Sequence, residues 1–335
     1  MAAIALRSPQ YKSINSGANA AYAICTIQID TGSGYNTEYT LRKDTSPSTT
    51  VLFEISELCL DFLDISFSGT YTAQTIDIRT RIKSYTSSDV LVTDSNNIDD
   101  IGYDAYGTFM EGANPAVPFG SRPTWLVSGD PDHTTINNEY YIYVPVGVSG
   151  SVPYINASAE LGYTGYGAQQ TTIASSGSPA AVQMNIERVD CTKYGDGHKI
   201  TFVNKYGALQ DLWFFLKSVN TTTAKKEKFQ RNIISSTGTY SVNQHTKQVY
   251  DVVANTSFTL SSGYYPEWAN QWFEQLMLSE KVWLTRTKPT NPSQTEAVPV
   301  NVTKNNFVKK TVLNNKLIEY TFDFDMSFDY INNVR

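Results

Sequence analysis

The stretch Tyr320–Asp329, YTFDFDMSFD, carries the clearest structural pattern in the chain. Aromatic or apolar side chains occupy every second position, and acidic or hydroxyl side chains lie between them. A period of two residues is that of a β-strand with one buried face. The stretch therefore predicts a strand whose aromatic face either closes a β-sandwich core or lies at a contact between subunits.

The composition of the 335 residues agrees with a β-rich protein, since it includes 22 Tyr and 15 Phe. Aromatic residues and Thr fit a pleated, half-buried surface, while Ser, Asn and Gly fit the turns between strands. The net charge of -6 argues against a general nucleic-acid binder, which would present a basic surface. We predict a mainly β fold with two β-sandwich or barrel-like domains, long inserted loops and one or two short helices.

Changes in composition divide the chain into three segments. Residues 1–95 read as an N-terminal β-domain, and residues 184–335 as a C-terminal β-domain. Between them, residues 96–183 are rich in Gly, Asn, Ser, Pro and Tyr, which predicts a loop-rich insertion. Within this insertion Tyr140–Pro145 and Val152–Ile155 are predicted to pair as a β-hairpin.

Helical spacing occurs at two places. A short helix is predicted at Ser56–Leu63, and the best helix covers about 264–280, where Trp268, Trp272 and Leu276 repeat every four residues. A very aromatic strand is predicted at Gln210–Ser218. The candidates for the structural core are Trp213, Phe215, Trp268, Trp272, Phe322 and Phe324.

The remainder of the C-terminal domain is more polar. We interpret the short basic run Lys225–Arg231 as a solvated loop, with an acidic partner subunit or DNA as alternative contacts. Two separate strands are predicted at Lys247–Val253 and Ser257–Leu260, and another at Phe307–Val312.

No arrangement of residues indicates catalysis or metal binding. The chain has three histidines and three cysteines: His133, His198, His245, Cys25, Cys59 and Cys191. No two histidines have the i, i+4 spacing of a metal motif, and the cysteines, with no close pair, are expected to be buried and reduced. Nucleophile-elbow and phosphate-loop motifs are absent. We therefore assign no catalytic, cofactor-binding or metal residues and expect no enzyme activity and no cofactor.

Two pairs of carboxylates deserve comparison with the acids of glycosidases. Asp99 and Asp100 are adjacent in a predicted loop, and Asp323 and Asp325 share one face of the terminal strand. Glycosidase acids flank a cleft from separate elements. A solvated strand face is the stronger interpretation of the second pair.

Aromatic residues in and beside the insertion are candidates for an interface or a recognition surface. They lie among Gly, Ser and Asn, and Tyr provides a large contact area at low entropic cost. Packing of loops against a neighbouring subunit explains them equally well. These candidates are Tyr103, Tyr106, Phe109, Trp125, Tyr163 and Tyr166, with Phe119 near them.

The chain has no apolar run approaching the ~18 residues of a membrane helix. Its first residues, MAAIALRSPQYK, lack the basic start and long apolar centre of a signal peptide. We expect no membrane span and no export by the general secretory route.

Three groups of motifs resemble a known class of virus proteins. They are RSPQYKS with FEISELCLDFLD near the start, KITFVNKYGALQDLWFFLKS at Lys199–Ser218, and WFEQLMLSEKVWL with the terminal IEYTFDFDMSFDYINNVR. Together they are similar to uncharacterised structural proteins, of the tail or baseplate type, from tailed bacteriophages that infect marine and Bacteroidetes hosts. The shared motifs are structural, so the resemblance implies a role in assembly.

The resemblance implies a structural virion protein of the tail, such as a baseplate, distal-tail or fibre-attachment subunit. Its partners would be other phage tail proteins, and it would form a homo-oligomeric ring. It would assemble in the cytoplasm of the host bacterium and end in the virion tail. Two alternatives remain: a tail-tip module that binds a host receptor or surface glycan, and a tail-associated polysaccharide hydrolase.

Overall fold

The computed structural model of the protein is mainly β, with sandwich-like antiparallel sheets and short helices. The chain forms two compact units, Met1–Val189 with Thr201–Asp211, and Asp190–Ile200 with Leu212–Arg335. The structure describes residues 2–7, 9–30, 32–46, 48–69, 74–103, 139–146, 150–153, 160–163, 169–173, 182–189, 197–205, 207, 209–311 and 317–328.

The N-terminal part is built on an antiparallel sheet of the order β1-β8-β6-β3-β4, with β7 paired to β6 and only β1 parallel to its neighbour. The central strand β6 buries every second residue, as its alternating sequence predicts. The elements of the N-terminal part are β1 (Ala2–Ala5), β2 (Tyr11–Asn15), β3 (Tyr22–Asp30), β4 (Tyr35–Asp44), β5 (Thr50–Glu54), α1 (Ser56–Leu60), β6 (Thr75–Tyr85), β7 (Leu91–Asp94) and β8 (Ile98–Tyr103).

Two thiols lie in the core of this part. Cys25 on β3 and Cys59 in α1 are both free and fully buried. Burial in apolar surroundings disfavours the thiolate. It raises the pKa of Cys25 to about 11 and the pKa of Cys59 to about 12.

These pKa values predict that both thiols are inert in the folded protein. At pH 8 the thiolate form of each is a minor species, whereas an unfolded cysteine has a pKa near 8.5. In a Cys191→Ser variant, a thiol reagent at pH 8 should label neither cysteine before unfolding and both in denaturant. Rapid labelling of either thiol in the native protein would contradict the burial.

The middle strands pair differently from the prediction. β9 lies parallel to β13, β12 is antiparallel to β13, and β10 pairs with β11. The predicted pairing of Tyr140–Pro145 with Val152–Ile155 is therefore wrong. Turn residues after Pro145 favour a local hairpin, but a parallel partner must come from a distant segment that periodicity does not reveal. The strands are β9 (Glu139–Pro145), β10 (Gly150–Pro153), β11 (Glu160–Tyr163), β12 (Gln169–Ile173) and β13 (Val182–Val189).

The C-terminal part contains a sheet of seven strands in the order β15-β14-β19-β20-β22-β17-β16. A separate short pair joins β18 to β21. The elements are β14 (His198–Val203), β15 (Leu209–Phe214), β16 (Ser218–Gln230), β17 (Lys247–Ser261), β18 (Tyr265–Pro266), a 3-10 turn (Glu267–Ala269), α2 (Asn270–Leu278), β19 (Val282–Lys288), β20 (Asn291–Val302), β21 (Leu317–Ile318) and β22 (Thr321–Met326).

Aromatic rings form the core between this sheet and α2. The Phe214 ring meets Phe273, Phe322 and Phe324 edge-on, at centroid distances of 6.3, 6.0 and 5.8 Å. The Phe273 ring of α2 also stacks on Phe322 at 6.0 Å. Such pairs add roughly 0.5–1.5 kcal/mol each beyond the burial of their area. The alternating terminal strand β22 therefore closes a core, because its aromatic face lies against these rings.

The six core candidates from the sequence all lie in this part. Five are buried, and Trp268 is half-buried with its ring edge-on to Trp272 at 4.9 Å. The predicted helix over about 264–280 is shorter in the structure, because Tyr265–Pro266 pairs as a strand and a 3-10 turn precedes α2. The five buried candidates are Trp213, Phe215, Trp272, Phe322 and Phe324.

The segment after β20 is not the strand predicted at Phe307–Val312. Residues 303–311 have no regular secondary structure and are held by side chains of the core instead. The Tyr320 hydroxyl accepts a hydrogen bond from the Lys310 amide at 2.9 Å and donates to Oδ1 of Asn270 at 2.5 Å. The Asn270 amide in turn donates to the Lys310 carbonyl at 2.8 Å. Burial is the main cause that raises the pKa of Tyr320, which keeps the hydroxyl protonated as a donor.

These hydrogen bonds predict how much the Tyr320 hydroxyl contributes to the free energy of unfolding. Tyr320→Phe leaves the Lys310 amide and Asn270 Oδ1 without their partner, which should lower the free energy of unfolding by about 1–3 kcal/mol. Tyr240→Phe is the matched control, because Tyr240 is exposed and should change stability little. Chemical denaturation measures both. Equal stability of the two variants would contradict the network.

Candidate functional site

Strands β16 and β17 continue together beyond the end of β22, as the paired strands β19 and β20 also do. β17 pairs with β22 only over Ser257–Ser261, whereas its pairing with β16 extends for nine more residue pairs, from Thr222↔Thr256 to Gln230↔Lys247. These nine pairs span about 30 Å at roughly 3.4 Å per residue. We name residues 222–256, the two strand segments and the tip between them, the arm.

Most of the arm is exposed to solvent, although residues 251, 252 and 254–256 of β17 are half-buried. Every residue of β16 is exposed, and so is nearly all of the tip between the strands. Apolar side chains are nevertheless frequent in it, and Ile234 and Val242 keep 60% and 85% of their surface in water. A single exposed apolar residue is ordinary, but a concentration of them marks an interaction site. The large exposed apolar residues of the arm are Phe229, Ile234, Tyr240, Val242, Val249, Tyr250 and Val253.

Contacts between side chains of β16 and β17 stabilise the pairing of the two strands in the arm. The Phe229 and Tyr250 rings meet at 6.1 Å, and the Tyr250 hydroxyl donates to the Glu227 carboxylate. The ladder has one bulge, between Glu227 and Lys228. A two-stranded hairpin alone is at best marginally stable in water. The arm therefore has the backbone of a two-stranded ribbon, of which β16 and the tip are exposed.

The arm is also basic. Five basic and two acidic side chains give it a net charge of +3, which leaves -9 on the remainder of a chain of charge -6. Among the residues that the structure describes, Lys225, Lys226, Lys228 and Arg231 make no ion pair with a carboxylate. Their charge is available to an external partner.

The sequence-based interpretation of this region was wrong in two respects. The basic run Lys225–Arg231 was expected to be a loop, but all of it except Arg231 lies in β16. The predicted strands Lys247–Val253 and Ser257–Leu260 are parts of the single strand β17. A strand exposed on both faces has no alternation of apolar and polar residues, which is the signal that sequence reading depends on. The β-branched run Thr221–Thr223 was the available hint.

The predicted recognition residues fall largely outside the described part of the chain. Tyr103 ends β8 and Tyr163 ends β11, but only their backbone is described. The role of the whole set in recognition stays a prediction. The candidates outside the described residues are Tyr106, Phe109, Phe119, Trp125 and Tyr166.

Three of the four paired carboxylates have structural partners, and Asp99 and Asp100 lie in the strand β8, whereas the sequence predicted a loop there. Asp99 accepts two hydrogen bonds from Arg79, at 2.6 and 2.9 Å, which lower its pKa. Asp100 lies 2.5 Å from the Lys12 ammonium, and Asp323 accepts a hydrogen bond from Thr259. A glycosidase acid needs a raised pKa, so Asp99 is unsuited to that role.

Other kinds of site find no support in the described ranges. No group of three or more His, Cys, Asp or Glu side chains there could hold a metal ion. No helix in those ranges has the length and apolar character needed to cross a membrane. Burial lowers the pKa of His198. The neutral form of that histidine is therefore favoured.

In comparisons with known proteins, neither a protein-family model nor a curated protein matches the chain. Function must therefore be inferred from the arm, its charge and its exposure.

The exposure of the arm predicts how a protease attacks it. Trypsin should cleave after Arg231, beside the tip, without unfolding of the core. The rate of this cleavage should be the same in Tyr320→Phe, although that variant is less stable. Arg231→Gln should remove the cut, and mass spectrometry of the fragments identifies it. Cleavage that accelerates with destabilisation of the core would show that the arm is protected.

Proposed function

We propose that the protein is a structural subunit of a bacteriophage tail and that the arm joins each copy to its neighbours. The observation that carries this proposal is the arm itself: a two-stranded ribbon whose strand β16 and tip are exposed, with many apolar side chains in water. In this proposal the arm acts through the contact that it makes with a neighbouring copy.

The physical argument starts from stability. A ribbon about 30 Å long cannot bury the apolar side chains of its exposed strand and tip, because two strands alone form no core. A partner that covers it would bury Phe229, Ile234 and Val242 and add backbone partners at the outer edge of β16, which no described strand occupies. Aromatic and aliphatic anchors in a polar surround are typical of protein interfaces.

The placement in a tail rests on the motifs that resemble tail and baseplate proteins. Such subunits form closed rings, in which an element of one copy contacts a different surface of the next. The free thiols of Cys25 and Cys59 agree with assembly in a reducing bacterial cytoplasm before the particle leaves the cell.

A shortened arm tests the proposal. Replacing residues 223–255 by Asn-Gly joins the paired Thr222 and Thr256 through a two-residue hairpin turn. The full chain should form an oligomer of defined copy number in light scattering, and the shortened chain should be monomeric with unchanged thermal unfolding of the core.

Leu278→Ser provides the control, because Leu278 is an exposed apolar residue outside the arm. This variant should keep the mass of the full-length oligomer. A full chain that stays monomeric at every concentration, or a shortened chain that still forms the oligomer, argues against the proposal. Glycan binding by such a monomer would then favour a receptor-binding module.

A further inference from the structure

A second surface of the chain has the charge opposite to that of the arm. Residues 44–78 contain six acidic residues and neither Lys nor Arg. Among them, Glu57 lies in α1, and Asp61 directly follows the last residue of α1, one helical turn from Glu57. The Asp61 amide donates a hydrogen bond to the Glu57 carbonyl at 3.4 Å. Both side chains are exposed. We name Glu57 and Asp61 the acidic face.

The two carboxylates of the acidic face have no neutralising partner. Among the described residues, neither Glu57 nor Asp61 forms an ion pair. Like charges at i, i+4 on a helix repel each other. A cation pair placed opposite them would remove that repulsion.

We propose that Lys226 and Lys228 in the arm of one copy bind Glu57 and Asp61 of a second copy. This inference rests on the proposed role of the arm in assembly and names the partner of the arm. Because the arm and the acidic face are different surfaces, the contact is head-to-tail, which is the kind that builds a ring.

The spacing of the charges supports the pairing. Lys226 and Lys228 are two residues apart on β16, so they lie on one face of the strand at a separation of about 7 Å. Residues one helical turn apart have Cβ atoms about 5–6 Å apart. The long and flexible lysine side chains can close this difference.

The balance of charge favours a second copy over DNA. A charge of -9 on the remainder of the chain repels phosphates, while the same charge attracts the arm of a neighbour. DNA remains the competing partner for a basic strand, and the experiment includes it.

The lysines also have a simpler explanation. Charged side chains on an edge strand prevent unspecific pairing with other strands, and a bulge, present here between Glu227 and Lys228, has the same effect. Either sign of charge protects an edge in this way. Only docking on the acidic face requires a positive sign, so reversal of the charge separates the two explanations.

The test is a charge swap between two variants. The arm variant is K226E/K228E and the face variant is E57K/D61K. Each alone places like charges against each other in the contact, so each should be monomeric at concentrations where the wild type is assembled. In an equimolar mixture the two variants can alternate around a ring, so that each contact is again between opposite charges. The mixture should therefore assemble in light scattering, and to the wild-type mass where the copy number of the ring is even.

Two controls accompany the swap. E38K/E280K makes the same change of charge at exposed positions outside residues 44–78 and should assemble like the wild type. Thermal unfolding should be the same for all variants, which shows that loss of assembly is not loss of folding. Assembly of the wild type should weaken as salt screens the contact.

The outcomes separate this inference from the proposed function. If the shortened arm abolishes assembly but either swap variant assembles normally, or if their mixture stays monomeric, the arm binds another surface and only this inference fails. If the shortened arm leaves assembly unchanged, both fail. Retention of DNA by the wild type that is lost in K226E/K228E, with assembly intact, would assign the lysines to nucleic acid and overturn the inference.

Discussion

The contact between the aromatic face of β22 and the rings of Phe214 and Phe273 is the interaction on which the C-terminal part depends. Phe322 and Phe324 are almost fully buried there, and each also lies on a strand with neighbours on both sides. Removing one such ring takes away area burial and several edge-on contacts at once. Helix α2 packs on β22 through this cluster, and Tyr320, whose hydroxyl holds the irregular segment 303–311, lies against the Phe273 ring at 5.1 Å.

The same cluster fixes the base of the arm. Phe258 and Leu260 of β17 pair with Phe324 and Phe322 of β22, so the inner end of β17 belongs to the core. Its outer end belongs to the arm. A single strand therefore joins the buried part of the sheet to its most exposed part. We regard this continuity as the structural reason that an arm without a core of its own keeps a defined register.

The fold could be predicted from the sequence where one face of an element is buried and the other is exposed to solvent. The alternation in β6 and β22 and the spacing of Trp272 and Leu276 reflect burial directly, so these elements were found. The arm could not be found in that way, since β16 has no buried face. The pairing of β9 with the distant β13 also escaped prediction, because a parallel partner leaves no local mark in the sequence.

The sequence by itself determined the β-rich class, the aromatic character of the terminal strand and the charge of the basic run, because composition and periodicity are local properties. It did not determine which strands are neighbours or which residues meet solvent. Only the tertiary structure decided that Lys226 and Lys228 stand on an exposed ribbon and that Glu57 and Asp61 stand unpaired on a short helix. The physical reason is that exposure and pairing depend on contacts between segments far apart in the chain, and the free energy of those contacts is shared among many residues.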